Sequence, residues 1–474
     1  MIVNQISALN VNNKFKKQNN NPFKIDNFKG ASEPNYAPAN VLQAQSLFRL
    51  SSVNNKNNVS FQGLVLKPNL FKDLAVTESH PNWLKLIKRE VELYKQPSDT
   101  RSEFTRDYDR ILHSEAYNRM SGKTQVWSLT NSDITSTRIH HVNQVASVAE
   151  ELAEFFGLNV KLTRAMAIGH DVGHSPFGHT GEVALAEIVK EHGLGSAYYH
   201  EKNSLRFLDD VETRLDPQGQ EQNLSLTYGV RDGIVSHCGE IDENGLKPRA
   251  EYIDLRTIQK SNRPQPFTQE GCVMKISDKI AYLGKDIEDA VNNKFLHPDK
   301  LKILKKTIKD EAGLDFEEIN NTVLINHFVY NLKANSNPQE GLKLSERSFK
   351  LINTVKKFNY EHIYGPKDKI QNQYLRLVIN SIFDKLNGLY DGKNTLTKLE
   401  EMRENQPTLA KTFREWLVKY SDIAPEERAA KKYDNKVLYS IENSQDYKLA
   451  AVEFISGMTD RFAKKSFEEI TFFG

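Results

Sequence analysis

Two cysteines, Cys238 and Cys272, are all that the 474 residues contain. That scarcity excludes a disulfide framework and a zinc cage built on thiolates, so any metal site must use histidine and carboxylate. No run of about 18 apolar residues occurs, which excludes a transmembrane helix and a membrane partner. Residues 1–17 lack the basic start and apolar stretch of a secretory signal, and the expected location is cytoplasmic. Charge of one sign is missing as well. The 64 Lys and Arg against 62 Asp and Glu leave a formal net charge of +2, too little to announce a nucleic-acid binder. At 38% hydrophobic and 27% charged the chain is polar for a globular protein, which points to a segment that stays unpacked.

That segment is expected at residues 1–75, which are rich in Asn and Ser and carry no sustained helical or strand period. From about Pro81 onward apolar residues recur every three or four positions, strand-like alternation is scarce, and the fold class expected is all-α. The division expected is a disordered extension at 1–75, a helical-bundle core at 76–300, and a C-terminal helical region at 301–474 packing on that core. Leu301, Ile303, Leu304 and Ile308 mark the first helix of the last part.

Within the core, His141, Val145, Val148 and Leu152 share one helix face, which turns the histidine inward. A lone histidine there is more often a core residue than a ligand. The next helix, capped by Asn159, puts Leu162, Ala165, Met166, Gly169 and His170 on one face. Asp171 follows, and Gly173, Pro176 and Gly178 then break the helix. The bland reading of this His-Asp pair is a hydrogen bond that fixes a loop. A third helix carries the apolar stripe Ile276, Ile280, Leu283, Ile287 and Val291, with Asp278, Tyr282 and Asp286 at i, i+4 and i+8 on another face. Two imidazoles and two carboxylates together make a mixed nitrogen–oxygen site for one divalent metal: manganese, iron, zinc, nickel or, less readily, magnesium.

Between the second and third helices, three histidines and two acids fall in thirteen residues, from His170 to Glu182. His174 lies one turn from His170 if the helix persists. His179 and Glu182 are three apart, a spacing suited to an acid or base oriented by a carboxylate, and His200 follows. Cations for a phosphate substrate are available in Arg106, Arg110, Arg119, Lys123 and Arg138, although Asp107 and Asp109 can claim some of them as salt-bridge partners. Gly122-Lys123-Thr124 imitates the end of a P-loop, but position 117 is Tyr and no strand precedes it, so that motif is rejected.

The set His141, His170-Asp171 and Asp278 resembles the HD-domain metal-dependent phosphohydrolases. A longer ordered series resembles the deoxyguanosinetriphosphate triphosphohydrolase family: Arg106 to Ser114, Gly122 to Val126, His170 to Glu182, Asp278 to Tyr282, and Gly457 to Arg461. The resemblance implies hydrolysis of a deoxynucleoside triphosphate to the deoxynucleoside and inorganic triphosphate. It implies His141, His170, Asp171 and Asp278 as metal ligands, His179 with Glu182 as the catalytic pair, and His174 and His200 near the phosphates. It further implies Arg138, Lys279 and Tyr282 around phosphates and sugar, Gln125 near the 3′-hydroxyl, and Asp286 in sugar recognition. Partners implied are a dNTP substrate, a homo-oligomer such as a hexamer, a dNTP effector and weak binding of single-stranded nucleic acid. Two departures stand out: His140 where relatives often carry Thr, which adds a competing ligand, and Glu201-Lys202 after His200. The alternatives are an HD phosphohydrolase for another nucleotide and a regulatory or single-stranded nucleic-acid binding protein of the same fold.

Overall fold

Thr137, Asn159 and Thr268 precede three stretches of helical period, and each stretch is a helix in the computed structural model, which describes residues 66–126, 136–195, 197–237, 244–365 and 369–472. The Asn-rich stretch 1–65 and Cys238 lie outside the described residues. In chain order the principal helices are α1 (Glu103–Leu112), α2 (Arg138–Phe156), α3 (Val160–Gly169), α4 (Gly178–Glu191), α5 (His200–Arg206), α6 (Tyr228–Val235) and α7 (Gln269–Asn292). They continue with α8 (Asp299–Ala312), α9 (Asn321–Asn335), α10 (Glu346–Asn359), α11 (Lys369–Asn387), α12 (Thr395–Met402), α13 (Pro407–Tyr420), α14 (Ser444–Ser456) and α15 (Asp460–Thr471). A π turn, Phe207–Val211, extends α5, and another, Tyr360–Tyr364, extends α10. The strands named among the described residues are one antiparallel ribbon, Thr213–Leu215 with Glu221–Asn223, in which Thr213 faces Asn223. The fold is all-α, as expected. No described helix is long and apolar enough to cross a membrane.

The long helix α7 is the spine, in contact with α2, α3, α6, α9 and α10. Side chains on its two faces enter two separate cores. Ile276, Ile280, Leu283 and Ile287 join Val148, Leu152 and Phe156 of α2 and the inner faces of α8 to α10 in one core. Met274 and Ala281 join the other, which holds α1, α3 to α6 and α11 to α15. Residues 301–474 therefore do not form one layer; α8 to α10 cover one side of the spine and α11 to α15 the other.

Packing begins before the boundary at residue 75. Phe71 is fully buried with its ring edge-on to Phe156 at 5.0 Å, and Asn69 N donates to Phe155 O at 2.8 Å. A single aromatic among Lys and Asn has no period, so nothing in the sequence pattern marks this strap.

Candidate metal centre and active site

Four helices deliver the floor of the site. His141 comes from the inner face of α2, His170 and Asp171 from the end of α3, His237 from the end of α6, and Asp278 from the middle of α7. α3 and α6 touch backbone to side chain because both carry glycine at the crossing: a Cβ on Gly233 would sit 2.4 Å from Met166 Sδ, and one on Gly169 would sit 2.7 Å from Ile234 Cδ1. This close approach brings the His170 and His237 rings to 4.9 Å. Sequence reasoning missed His237, although it lies one turn beyond Ile234 on a helix that is buried throughout, a pattern that could have flagged it.

Two donor triads share His170, and each could hold a cation. The ligand atoms of His141, His170 and Asp278 lie within 4.8 Å of one another, as do those of His170, Asp171 and His237. Ligands about 2.0–2.2 Å from a shared ion lie within about 4.4 Å of one another, so these spacings come close to what an ion needs. His170 Nδ1 faces Ala167 O at 2.7 Å, so that nitrogen carries the proton and Nε2 offers a lone pair inward. His170 Nε2 is buried without a hydrogen-bond partner, 3.6 Å from Asp171 Oδ1 and 3.7 Å from Asp278 Oδ1, an arrangement suited to a shared ion. His141 Nε2 lies 2.9 Å from Asp278 Oδ1, and Asp171 Oδ2 accepts from Arg138 Nη1 at 2.6 Å. Burial opposes ionisation of both aspartates, yet His174, His170 and Arg138 beside Asp171, and the hydrogen bond from His141 to Asp278, outweigh it and hold both well below the usual carboxylate range. Burial likewise works against a charged His141, but Asp278 and Asp171 outweigh it and raise its pKa. His237 is pushed down to about 4 by burial and by neighbouring His170, and is neutral at pH 7.

The loop after α3 supplies the proton-active groups. The helix does not persist to His174, as the spacing argument required, yet the turn still brings His174 Nε2 to 3.3 Å from Asp171 Oδ1. His174 stacks on His200 at 3.9 Å between ring centres. Glu182 is paired with His200, whose Nδ1 is 3.2 Å away, while His179 Nδ1 stands 3.9 Å from the same carboxylate oxygen. The expected His179–Glu182 pair is thus a looser contact, with Glu182 shared between two imidazoles. Burial pushes Glu182 up, but those imidazoles prevail and hold it well below its ordinary value. The His179 side chain is 79% exposed, at the mouth of the cavity rather than its floor.

The rim comes from distant segments. A cavity of about 400 Å³ opens above the floor, with Gln125, His179, Tyr282 and Asp286 on its wall, as expected. It also takes Tyr360, Tyr364 and Asn372, which sequence reasoning did not nominate. Tyr360 and Tyr364 sit on the π turn after α10, and Tyr364 Oη donates to Asp286 Oδ2 at 2.5 Å. Asn372 Oδ1 accepts from Thr180 Oγ1 at 2.9 Å.

Other nominated residues lie elsewhere. Arg106 binds Tyr94 O and the carboxylates of Asp99 and Glu103, Arg110 donates to Leu224 O and Asn223 O, and Arg119 bridges Glu115 and Glu212. Lys123 Nζ is buried against two backbone carbonyls. Of the five cations expected to meet phosphate, Arg138 alone lines the cavity. Lys279 faces a different crevice, with Asn244, Leu342 and Phe349, because one step along a helix turns a side chain by 100°. His140 is exposed and its Nδ1 meets Thr137 Oγ1, so it does not compete for metal. A groove of about 580 Å³ lies elsewhere, lined by Tyr94, Arg101, Arg110 and Arg214, and Arg101 there is matched by Asp99 and Asp109. It has no buried imidazole–carboxylate cluster of the kind on the cavity floor.

Residues 138–283, which hold the whole floor, match the family model described as HD domain. Three relatives named deoxyguanosinetriphosphate triphosphohydrolase-like protein extend the likeness. The one from Caldanaerobacter subterraneus subsp. tengcongensis is 30% identical over 378 residues, 79% of this chain and 87% of the relative. Those from Clostridium tetani and Desulfatibacillum aliphaticivorans are 32% identical over 290 residues (60% and 73%) and 28% identical over 379 residues (79% and 89%). With an HD match over the floor, a His/Asp cluster that could hold a metal and likeness along most of its length, the chain belongs to the deoxyguanosinetriphosphate triphosphohydrolase-like family of HD-domain phosphohydrolases.

Proposed function

We propose that the chain hydrolyses deoxynucleoside triphosphates to the deoxynucleoside and intact inorganic triphosphate, by attack of water on the α-phosphorus. The observation that carries this reading is a set of buried polar atoms without hydrogen-bond partners: Gln125 Oε1, Arg138 Nε and His174 Nδ1 on residues that line one cavity, and His170 Nε2 among the donors of its floor. Such atoms are costly unless a ligand satisfies them.

His141, His170, Asp171 and Asp278 are the residues that would hold one divalent cation. When bound, that ion supplies positive charge against the phosphate and a water that ionises near neutral pH. Arg138 fixes the orientation of Asp171 through Nη1 and adds a permanent charge beside the phosphates. His174 and His200 offer hydrogen bonds to phosphate oxygens. As the bond from the α-phosphorus to O5′ breaks, its electron pair goes to O5′, and His179 delivers the proton that this oxygen needs. Glu182 stabilises the imidazolium that must exist beforehand. Tyr282, one turn from Asp278, packs on the deoxyribose and leaves little room for a 2′-hydroxyl, while Gln125 and Asp286 face the 3′-hydroxyl.

Incubation with each dNTP and rNTP plus manganese in ¹⁸O-water, followed by ion chromatography and mass spectrometry, tests the reading. Equimolar deoxynucleoside and tripolyphosphate, with the label in the tripolyphosphate, is the expected result. Release of pyrophosphate or single phosphate, or label in the nucleoside, overturns it.

A further inference from the structure

We infer that Asp460, at the start of α15, is a positioning residue for His179, and that residues 456–460 clamp the catalytic loop from behind. Phe177 is a non-glycine residue in the left-handed region, with φ +63° and ψ +22°, and Gly178 follows with φ +57°. Residues other than glycine rarely adopt this conformation and need surroundings that hold them there. The two successive left-handed residues reverse the chain so that α4 begins with His179 in its first turn. Asp460 Oδ1 accepts from Phe177 N at 2.8 Å, two residues before His179. Its other oxygen, Oδ2, accepts from Thr124 Oγ1 at 2.7 Å and Thr124 N at 3.3 Å, next to Gln125 on the cavity wall.

One buried carboxylate therefore ties two walls of the cavity to the same point. The grip extends along the loop. Lys123 Nζ donates to His174 O and, at 2.9 Å, to Ser456 O. Asn203 Nδ2 donates to Gly173 O at 2.6 Å and reaches Ser456 Oγ at 3.3 Å. None of Lys123, Ser456 and Asp460 lines the cavity, so their effect on the reaction passes through the backbone that carries His174 and His179. Removing the Asp460 carboxylate leaves the buried Phe177 N–H unmatched and lets the left-handed turn relax, which displaces the proton donor while the four metal ligands keep their own helices.

The inference rests on the dNTP triphosphohydrolase reading, and Asp460→Ala and Asp460→Asn test it in the full chain. The measurements are kcat and KM for the preferred dNTP, bound manganese by elemental analysis, and the thermal midpoint. Asp460→Ala is expected to lower kcat at least tenfold with KM and manganese content within twofold. Asp460→Asn, whose amide oxygen still accepts from Phe177 N, is expected to fall between it and the unsubstituted protein. Unchanged kcat overturns the inference, and so does a loss of manganese or a rise in KM that tracks the loss of kcat. If Asp460→Ala does not fold, Asp460→Asn is judged on the same terms, with at least a threefold loss of kcat required. Absence of tripolyphosphate from the unsubstituted protein would instead refute the activity itself.

Discussion

The floor and the rim of the cavity are built in different ways. On the floor, His141, His170, Asp171 and Asp278 project from three helices whose apolar faces are shared with the cores, so the packing that folds the protein also gathers the ligands. Beside Tyr282 and Asp286 of α7, much of the rim comes from places where the backbone turns: a left-handed turn before α4 and a π turn after α10. Packing sets where the floor's helices lie, with hydrogen bonds such as Arg138 to Asp171 orienting single side chains, whereas the rim also needs bonds between distant segments such as Tyr364 to Asp286. The cluster that could hold a metal thus sits on helices fixed by the cores, while much of the cavity wall sits where the backbone turns.

The sharpest way to break this contrast is at the floor. His170→Ala is expected to abolish both bound divalent metal and turnover, measured by elemental analysis and product chromatography; retention of metal would mean that the floor is not the ligand set. Next in size, His179→Ala on the rim is expected to keep metal and lose about 10²–10⁴-fold in kcat, the range for removal of a general acid. Full turnover in that variant would assign the proton to another group. Tyr364→Phe removes one hydrogen bond to Asp286, worth about 1 kcal/mol, and is expected to raise KM roughly fivefold with little change in kcat. An equal loss in kcat would place Tyr364 with the floor in its effect.

The smallest expected effect on catalysis concerns a group beneath both regions. Glu270 is fully buried at the start of α7, accepts from Val76 N at 2.8 Å and Asn159 N at 3.0 Å, and is pushed up to about 7 by burial, against those two hydrogen bonds. Its folded pKa lies above the unfolded one, so the folded chain binds the extra proton between about pH 4.5 and 7 and loses stability as pH rises through that window. Glu270→Gln keeps the accepting oxygen and cannot ionise. It is expected to raise Tm at pH 8 by a few degrees, with the gain fading toward pH 5 and kcat unaltered. A Tm difference that does not depend on pH would exclude this account.

The difference between floor and rim also explains what could be read in advance. Helical period turned His141 and His170 inward, and the structure buries them on faces shared with Val145 and Met166, whereas Asp278 lay off the apolar stripe of its helix and was singled out by its apolar neighbours in sequence. The arginines before α2 were ambiguous, since a guanidinium is equally at home on a phosphate or on a neighbouring carboxylate, and the structure gives Arg106 and Arg119 the latter. Tyr360 and Tyr364 were illegible for another reason. They stand at i and i+4 in a Lys-rich stretch, and only tertiary packing of α10 against α7 places them beside Asp286, 78 residues away from Tyr364.

The bond from Phe177 to Asp460 spans 283 residues of chain. Every residue of the floor precedes the end of α7, whereas the carboxylate that fastens the loop before His179 comes only at the start of α15. A polypeptide cut before residue 460 keeps every residue of the floor and loses the carboxylate that anchors the loop in front of His179.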